Sequence, residues 1–152
     1  MTATSDVFDA NASAQACELQ LRTFGGVAAF DGEISTVRCF EDNVVLRRRL
    51  SEPGDGRVLV VDGGGSLRCA LLGDNIATLA VENGWRGIVV HGCIRDVEAL
   101  AGLPVGIKAL GTNPRPSGKA GGGEVDVPVT FGGATFEPGA RLWSDADGIV
   151  VV

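Results

Sequence analysis

The sequence predicts a single α/β domain over residues 1–152, with a second sheet layer added to a core of alternating strands and helices. In its central part, apolar runs of strand length alternate with helix patterns, as in parallel sheets connected by helices. The flanking segments, from Gly25 to Phe40 and from Val125 onward, carry mainly strand patterns. No internal repeat or linker divides the 152 residues. A chain of this size buries about 70 % of its unfolded surface, which is enough for one substantial core.

The first elements are a short helix and a predicted hairpin. Thr4 to Ala10 is typical of a helix, because Thr4 or Ser5 can cap its start and an acidic residue occupies the first turn. Gly25 to Phe40 alternates like two strands, and Asp31-Gly32 is a common turn sequence between antiparallel strands. We therefore expect a hairpin with its turn at Asp31-Gly32.

The next helix carries three consecutive arginines. Asp42 or Asn43 can cap it, and Pro53-Gly54 stops it after about Leu50. Arg47-Arg48-Arg49 is the one basic run in the chain, and a charge run on a helix usually forms a solvated face. The alternative is that these arginines contact a partner or a substrate carboxylate.

The central unit begins with Arg57 to Asp62, an apolar run typical of a strand buried on both faces. Three glycines follow, then a helix that starts at Gly73-Asp74 and continues to Glu82, then a buried strand over Gly87–Val90.

The remaining elements are shorter. We expect a brief helix over Asp96–Ala101, strands over Pro104–Leu110 and Val125–Val129, and further strands around Thr135 and Leu142 after a Gly132-Gly133 turn. Gly111 to Gly123 is predicted to be a long surface loop, and such loops are often functional or disordered. The uncharged end, Gly148 to Val152, fits either a buried last strand or part of an oligomer interface.

Composition narrows the functional classes. The net charge of −6 and the pI of about 4.7 disfavour direct binding of nucleic acid, whose phosphates would be repelled. The mean hydropathy is +0.21, yet no apolar run approaches the roughly 18 residues of a membrane span. The four cysteines form no CxxC pair and no zinc pattern, and the N-terminus does not resemble a signal peptide. A reducing, cytoplasmic location is the expectation.

Asp74, Arg95 and Asp96 are the strongest candidates for a site. A helix of about ten residues and a return strand of four or five residues both span roughly 15 Å, so the start of the helix and the end of the strand should lie at one sheet edge. Asp74 can then face Arg95 and Asp96. A lone carboxylate with waters suits Mg²⁺ or Mn²⁺, and a guanidinium suits an anionic substrate. The competing interpretation is a surface ion pair that caps a helix.

Two other features have weaker functional interpretations. The strand and glycines from Val58 to Gly65 resemble a nucleotide loop, but Ser66 follows where another glycine is needed and no GxGxxG is present. His91 is the single histidine, so it cannot build a typical zinc site, and a structural or supporting role is favoured.

Several motifs together resemble the RraA-like family, which includes the regulator of ribonuclease E activity A and class II 4-hydroxy-4-methyl-2-oxoglutarate aldolases. The segments that carry the resemblance cover almost the whole chain: Thr4–Ala10, Ser35–Val37, Val60–Gly63, Leu71–Ala80, Gly87–Asp96, Pro128–Val129 and Asp145–Val151. The resemblance implies a three-layer β/β/α swivelling-domain fold and a ring-shaped homotrimer with active sites between subunits.

The resemblance also implies roles for the candidate residues. Gly73, Asp74, Asn75 and Ile76 would bind the carboxylate and keto oxygen of a small 2-keto acid through backbone N–H groups. Arg95 would contact substrate oxygens, Asp74 would act with it in catalysis, and Asp96 would hold a divalent metal cation, Mg²⁺ or Mn²⁺.

The function implied is cleavage of 4-hydroxy-4-methyl-2-oxoglutarate to pyruvate, together with decarboxylation of oxaloacetate. The alternative is a non-catalytic regulator that binds and inhibits ribonuclease E. A methyltransferase function, which has also been attached to relatives, is disfavoured by the incomplete glycine loop.

Overall fold

The computed structural model describes residues 1–152 and contains four helices and twelve strands. The helices are α1 (Thr4–Ala10), α2 (Val44–Leu50), α3 (Asp74–Glu82) and α4 (Val97–Leu100). The strands are β1 (Gln15–Ala16), β2 (Arg22–Thr23), β3 (Phe30–Arg38), β4 (Val58–Asp62), β5 (Ala70–Leu72), β6 (Gly87–Ile94), β7 (Gly106–Thr112), β8 (Glu124–Val125), β9 (Val129–Phe131), β10 (Ala134–Phe136), β11 (Arg141–Asp145) and β12 (Gly148–Val151). No helix is long and apolar enough to cross a membrane.

Four parallel strands form the centre of the main sheet, in the order β3-β4-β6-β7. The connections from β3 to β4 and from β4 to β6 contain α2 and α3, as the alternation of patterns predicts. The sheet continues beyond β3 through antiparallel β11, β12 and β1. Short β5 pairs with the far end of β6, and this pairing brings the chain back to the start of α3.

Two hydrophobic cores lie on opposite faces of the parallel strands. On one face, α2 and α3 pack through residues such as Leu46 and Ala77 against Leu59 and Ile88. On the other, Val58 and Val60 pack against side chains of the β9–β12 region, including Phe136 and Leu142. Because successive side chains of a strand point to opposite faces, the continuous apolar runs supply both cores. Helices, parallel strands and a second set of strands therefore form three layers, as expected.

The predicted hairpin at Asp31-Gly32 is wrong. β3 runs without a turn from Phe30 to Arg38; its first half pairs with antiparallel β11 and its second half with parallel β4. Gly32 allows close packing rather than a turn, because a Cβ there would lie 2.6 Å from the carbonyl oxygen of Gly56. Asp31 faces Arg86 and Arg141 and forms ion pairs with both.

The prediction of one solvated arginine face is wrong for one residue of the three. Arg47 and Arg48 are exposed, whereas Arg49 is buried. Its guanidinium forms ion pairs with Glu52 at 2.9 Å and Asp126 at 3.5 Å, and it donates to the Ser35 hydroxyl. The i,i+3 spacing to Glu52 was visible in the sequence, but the contact with Asp126 depends on the tertiary fold.

At the end of the chain, Ile149, Val150 and Val151 are buried in β12 between β11 and β1. This apolar segment is therefore an internal strand. The four cysteines are all free and buried, as expected for a chain without disulfides.

Candidate functional site

The start of α3 and the end of β6 meet at the edge of the sheet. Leu72 of β5 pairs with Ile94 of β6, and the Arg95 N–H donates to the Leu72 carbonyl at 2.9 Å. Two residues beyond the Leu72–Ile94 pair on each segment, the Asp74 N–H donates to Asp96 Oδ2 at 3.0 Å. The fold thus brings together the three residues that the spacing of the sequence predicted to be neighbours.

Asp96 has an unusual backbone that directs its carboxylate toward α3. Its φ of 64° and ψ of 42° lie in the left-handed region, which aspartate tolerates better than most residues. Asp96 Oδ2 caps the first N–H of α3, and Oδ1 accepts no hydrogen bond from the protein. Gly73 leaves the space for this contact, because a Cβ there would lie 2.6 Å from Oδ2.

The start of α3 still offers backbone donors. The first N–H groups of a helix have no acceptor within the helix. The Asp74 N–H is engaged by Asp96, whereas the N–H groups of Gly73, Asn75 and Ile76 donate to no protein group. Together with the positive end of the helix dipole, these donors favour an anionic oxygen.

These residues line one wall of a pocket with a volume of about 350 Å³. Small-molecule pockets begin at about this size, so the space suits a small metabolite. The wall consists of Ala70, Leu71, Leu72, Gly73, Asp74, Asn75, Ile76, Arg95 and Asp96.

The other lining residues were not assigned to the site from the sequence, and we call them the second wall. They are Asn43, Val44 and Arg47, from the N-cap and helix of α2, and Pro116, Ser117 and Lys119, from the glycine-rich segment of residues 111–123. Lys119 Nζ donates to Asn43 Oδ1 at 2.7 Å, which joins the two segments. The only feature of the sequence that pointed to this wall was the run Arg47-Arg48-Arg49, for which contact with a substrate carboxylate was the alternative interpretation.

Asp42 holds the glycine-rich segment in place. Its carboxylate accepts hydrogen bonds from the N–H groups of Val44, Ala120 and Gly121. Burial of the carboxyl opposes its ionisation, but these three hydrogen bonds outweigh that effect and lower the pKa of Asp42. The predicted surface loop is therefore attached to α2 and forms part of the pocket.

None of the three cations that line the pocket forms an ion pair. Arg95 donates to the carbonyl oxygen of Pro114 at 3.2 Å and contacts no carboxylate within salt-bridge distance. The competing interpretation, an ion pair between Arg95 and Asp96, is therefore wrong. The same interpretation also predicted that the pair caps a helix. Asp96 does so, because its carboxylate accepts the first N–H of α3. Asp74 is half-buried, and its carboxylate likewise has no ion-pair partner.

His91 lies away from this pocket and pairs with Asp62. Its Nδ1 is 3.0 Å from Asp62 Oδ1, and its ring stacks on Phe131 with centroids 4.6 Å apart. The hydrogen bond from His91 is the main reason that the pKa of Asp62 is lowered. Both partners lie on the strand face that contacts the second layer, so a supporting role in packing accounts for the histidine.

The glycine loop after β4 uses its donors internally. The N–H groups of Gly63 and Gly65 donate to the His91 carbonyl, and that of Gly64 donates to Asp62 Oδ1. A nucleotide loop requires such N–H groups to point at phosphates. In this chain the glycines instead allow the backbone to pass close to His91.

The oxygen ligands at the sheet edge fit a divalent cation that takes few ligands from the protein. No three His, Cys, Asp or Glu side chains come together into a cage of protein ligands. Asp96 supplies one carboxylate oxygen that no protein donor occupies. Mg²⁺ commonly takes one or two protein carboxylates and fills its other positions with waters and substrate oxygens.

Comparisons with known proteins agree with this architecture. A structure from Thermus thermophilis, described as the RNA-processing inhibitor RraA, is 47 % identical with a TM-score of 0.98, over 100 % of this chain and 93 % of that one. A Geobacillus kaustophilus HTA426 structure, described as an S-adenosylmethionine:2-dimethylmenaquinone methyltransferase, is also 47 % identical with a TM-score of 0.97, over 99 % of this chain and 94 % of that one.

A more distant structure, Streptomyces coelicolor RraAS2, is described as an unusual member of the RNase ES inhibitor RraA protein family. It is 31 % identical with a TM-score of 0.74, over 91 % of this chain and 72 % of that one. The family model described as RraA-like, Aldolase/RraA, matches residues 4–151. The chain belongs to the RraA-like family.

Proposed function

We propose that the protein is a divalent-metal-dependent aldolase that cleaves 4-hydroxy-4-methyl-2-oxoglutarate to pyruvate and also decarboxylates oxaloacetate. The observation that supports this proposal is the convergence, in one small pocket, of a carboxylate with a free oxygen, an unpaired guanidinium and free N–H groups at a helix start. Family membership supports the same reaction class, since the matching family model is described as Aldolase/RraA.

In this proposal, the start of α3 binds the substrate's 2-keto acid end. The N–H groups of Gly73, Asn75 and Ile76 donate to its carboxylate and keto oxygen; the Asp74 N–H is excluded because Asp96 occupies it. Arg95 donates to the keto oxygen and stabilises the negative charge that develops there. Asp96 would hold a Mg²⁺ or Mn²⁺ ion, which would supply Lewis-acid stabilisation of the developing negative charge.

The two substrates react by the same bond changes and differ only in the fragment that leaves from C3. In the hydroxy acid, the C4 hydroxyl loses its proton and becomes the keto group of one departing pyruvate as the C3–C4 bond breaks. The electron pair of that bond moves toward the C2 keto oxygen of the other half. In oxaloacetate, the bond to the C4 carboxylate breaks and CO₂ leaves. Protonation at C3 then gives pyruvate in each case. Asp74 is half-buried without a partner, and we assign it to orient the water that carries the proton.

The test is pyruvate release from both substrates in the presence of Mg²⁺ or EDTA, with protein-free controls because metal ions alone decarboxylate oxaloacetate. Asp96→Ala should abolish turnover, and Arg95→Ala should lower kcat/KM by about 10²- to 10³-fold, as when one oxyanion donor is removed. Glu98→Ala is the matched control, since Glu98 is exposed on α4 beside the site but does not line the pocket. Full activity of Asp96→Ala in EDTA would contradict the proposal.

A second candidate function is regulation of ribonuclease E by direct binding. Two of the similar structures are described as an RNA-processing inhibitor and as a member of an RNase ES inhibitor family. An acidic protein of net charge −6 also complements a basic segment of such a nuclease. If Arg95→Ala loses aldolase activity but still inhibits the nuclease in a cleavage assay, the two functions use different surfaces; loss of both would indicate a shared site.

A further inference from the structure

Two further cations, Arg47 and Lys119, line the same pocket as Arg95 and Asp96. Arg47 belongs to the last turns of α2, and Lys119 belongs to the segment that Asp42 attaches to that helix. Asn43 connects them, because its backbone carbonyl accepts from the Arg47 N–H and its side-chain oxygen accepts from Lys119 Nζ. Both charges are thus carried by backbone segments that are fixed relative to each other.

Neither cation forms an ion pair within the protein, although Asp42 lies close enough to Lys119 for the two charges to attract each other. The Arg47 guanidinium forms no hydrogen bond or ion pair, and Lys119 Nζ contacts only the neutral amide of Asn43. The wall formed by residues 43, 44, 47, 116, 117 and 119 contains no carboxylate. The chain as a whole is acidic, with a net charge of −6. Two unpaired cations on lining residues that include no carboxylate therefore favour the binding of an anion in this part of the pocket.

Of the three consecutive arginines of α2, only one lines the pocket. Arg48 is exposed and does not line the pocket, and Arg49 is buried in ion pairs with Glu52 and Asp126. Only Arg47 of the three faces the candidate site. The pocket is therefore lined by two sets of groups that can bind an anion: the start of α3 with Arg95, and Arg47 with Lys119.

Resting on the proposed function, we propose that Arg47 and Lys119 form a second subsite that binds the distal carboxylate of a dicarboxylic 2-keto acid. The start of α3 and Arg95 bind the 2-keto acid end as proposed above, and Arg47 and Lys119 select substrates with a second carboxylate. A monocarboxylic 2-keto acid such as pyruvate contacts only the first set of groups. Arg47 and Lys119 thus determine specificity and take no part in bond cleavage.

The test is an NMR titration with Mg²⁺ and two unreactive probes: 2-oxoglutarate, which has a distal carboxylate, and pyruvate, which lacks one. Arg47→Ala and Lys119→Ala should each weaken 2-oxoglutarate binding about ten- to a hundredfold, the size of one charge-assisted hydrogen bond, and leave pyruvate binding within about twofold. Arg48→Ala should change neither affinity. Arg47→Lys and Lys119→Arg, which keep the charge, should recover most of the lost affinity.

Unchanged 2-oxoglutarate affinity in the two alanine variants would overturn the subsite, as would an equal loss of affinity for both probes. Kinetics separate this result from the aldolase proposal. If the wild-type protein releases pyruvate from oxaloacetate and Arg47→Ala has the same KM, the subsite is wrong and the aldolase stands. If the wild-type protein prefers 2-oxoglutarate through Arg47 but cleaves neither substrate, the aldolase is wrong and the subsite stands.

Discussion

At the scale of single residues, the site depends on one missing side chain. Gly73 has an extended backbone, with φ of −135°, so any residue could adopt its conformation. Its lack of a Cβ is what matters, because Asp96 Oδ2 occupies the space that a Cβ would require. A glycine before a helix is common in sequences, and nothing local shows that it makes room for a carboxylate 23 positions away.

The first residue-scale prediction concerns Gly73→Ala. The new Cβ would lie 2.6 Å from Asp96 Oδ2 and must displace that carboxylate, which is the end of a movable side chain. We expect at least about a tenfold loss of kcat/KM with a change of less than about 1 kcal/mol in the free energy of unfolding. The control is Gly102→Ala, where the nearest atom is 3.6 Å away. An active Gly73→Ala enzyme would show that the capping position of Asp96 is unimportant.

A second residue-scale prediction distinguishes the adjacent arginines 48 and 49. Arg49→Ala should lower the free energy of unfolding by roughly 1–3 kcal/mol, because it removes a buried cation that is hydrogen-bonded to Ser35 and paired with two carboxylates. Arg48→Ala should stay within about 0.5 kcal/mol, since its side chain is exposed. Urea unfolding followed by circular dichroism measures both, and equal stabilities would contradict the burial argument.

At the scale of elements, the glycine-rich segment shows how a loop without hydrophobic periodicity becomes a fixed wall. Its backbone pairs with two distant parts of the chain through bridges between Asp42 and Gly118 and between Ala70 and Pro116. The Asp42 carboxylate adds hydrogen bonds from Ala120 and Gly121. These contacts satisfy the backbone N–H groups of Gly118, Ala120 and Gly121, which a free loop would leave to water.

The element-scale prediction is that Asp42→Asn loosens this segment. At pH 7 the free energy of unfolding should fall by roughly 1–3 kcal/mol, because a buried charged acceptor of three N–H groups is lost. Affinity for 2-oxoglutarate should fall as well, since Lys119 loses its fixed position. Asp9→Asn, on an exposed position of α1 without such hydrogen bonds, is the control for loss of one charge.

The pH dependence of the same variant has a defined sign. The pKa of Asp42 is lowered in the folded protein, so its stabilising contribution is complete above the unfolded value of about 3.9 and is lost as the pH falls through the lower folded value. The difference in unfolding free energy between wild type and Asp42→Asn should therefore be constant near neutral pH and shrink below about pH 4. A difference that grows in acid would contradict the assignment.

At the scale of the whole molecule, several large apolar side chains remain exposed, and two of them neighbour Arg68. Phe40 is 58 % exposed and Leu67 is 63 % exposed. The guanidinium of Arg68, next to Leu67, lies over the Phe40 ring at 5.7 Å. Exposed apolar residues that occur together are typical of an interface. This surface is our candidate for contacts in the homotrimer that the family resemblance implies.

The prediction for the whole molecule is a mass in solution three times the chain mass of 15.6 kDa. Leu67→Glu should lower that mass, because it places a charge in the proposed apolar contact. Size-exclusion chromatography with light scattering measures both. A wild-type monomer would rule out the trimer, and an unchanged mass for Leu67→Glu would exclude this surface as the interface.

Local patterns along the chain were enough to predict the central strands and helices and the meeting of Asp74 with Arg95 and Asp96, because hydrophobic periodicity and element length are local quantities. It also indicated the family. Tertiary structure decided that β3 is one strand, that Arg49 is buried and Arg47 faces the pocket, and that the glycine-rich segment forms a wall. Those outcomes depend on contacts between residues far apart in the chain, such as Asp42 with Gly121 and Arg49 with Asp126, for which no local pattern exists.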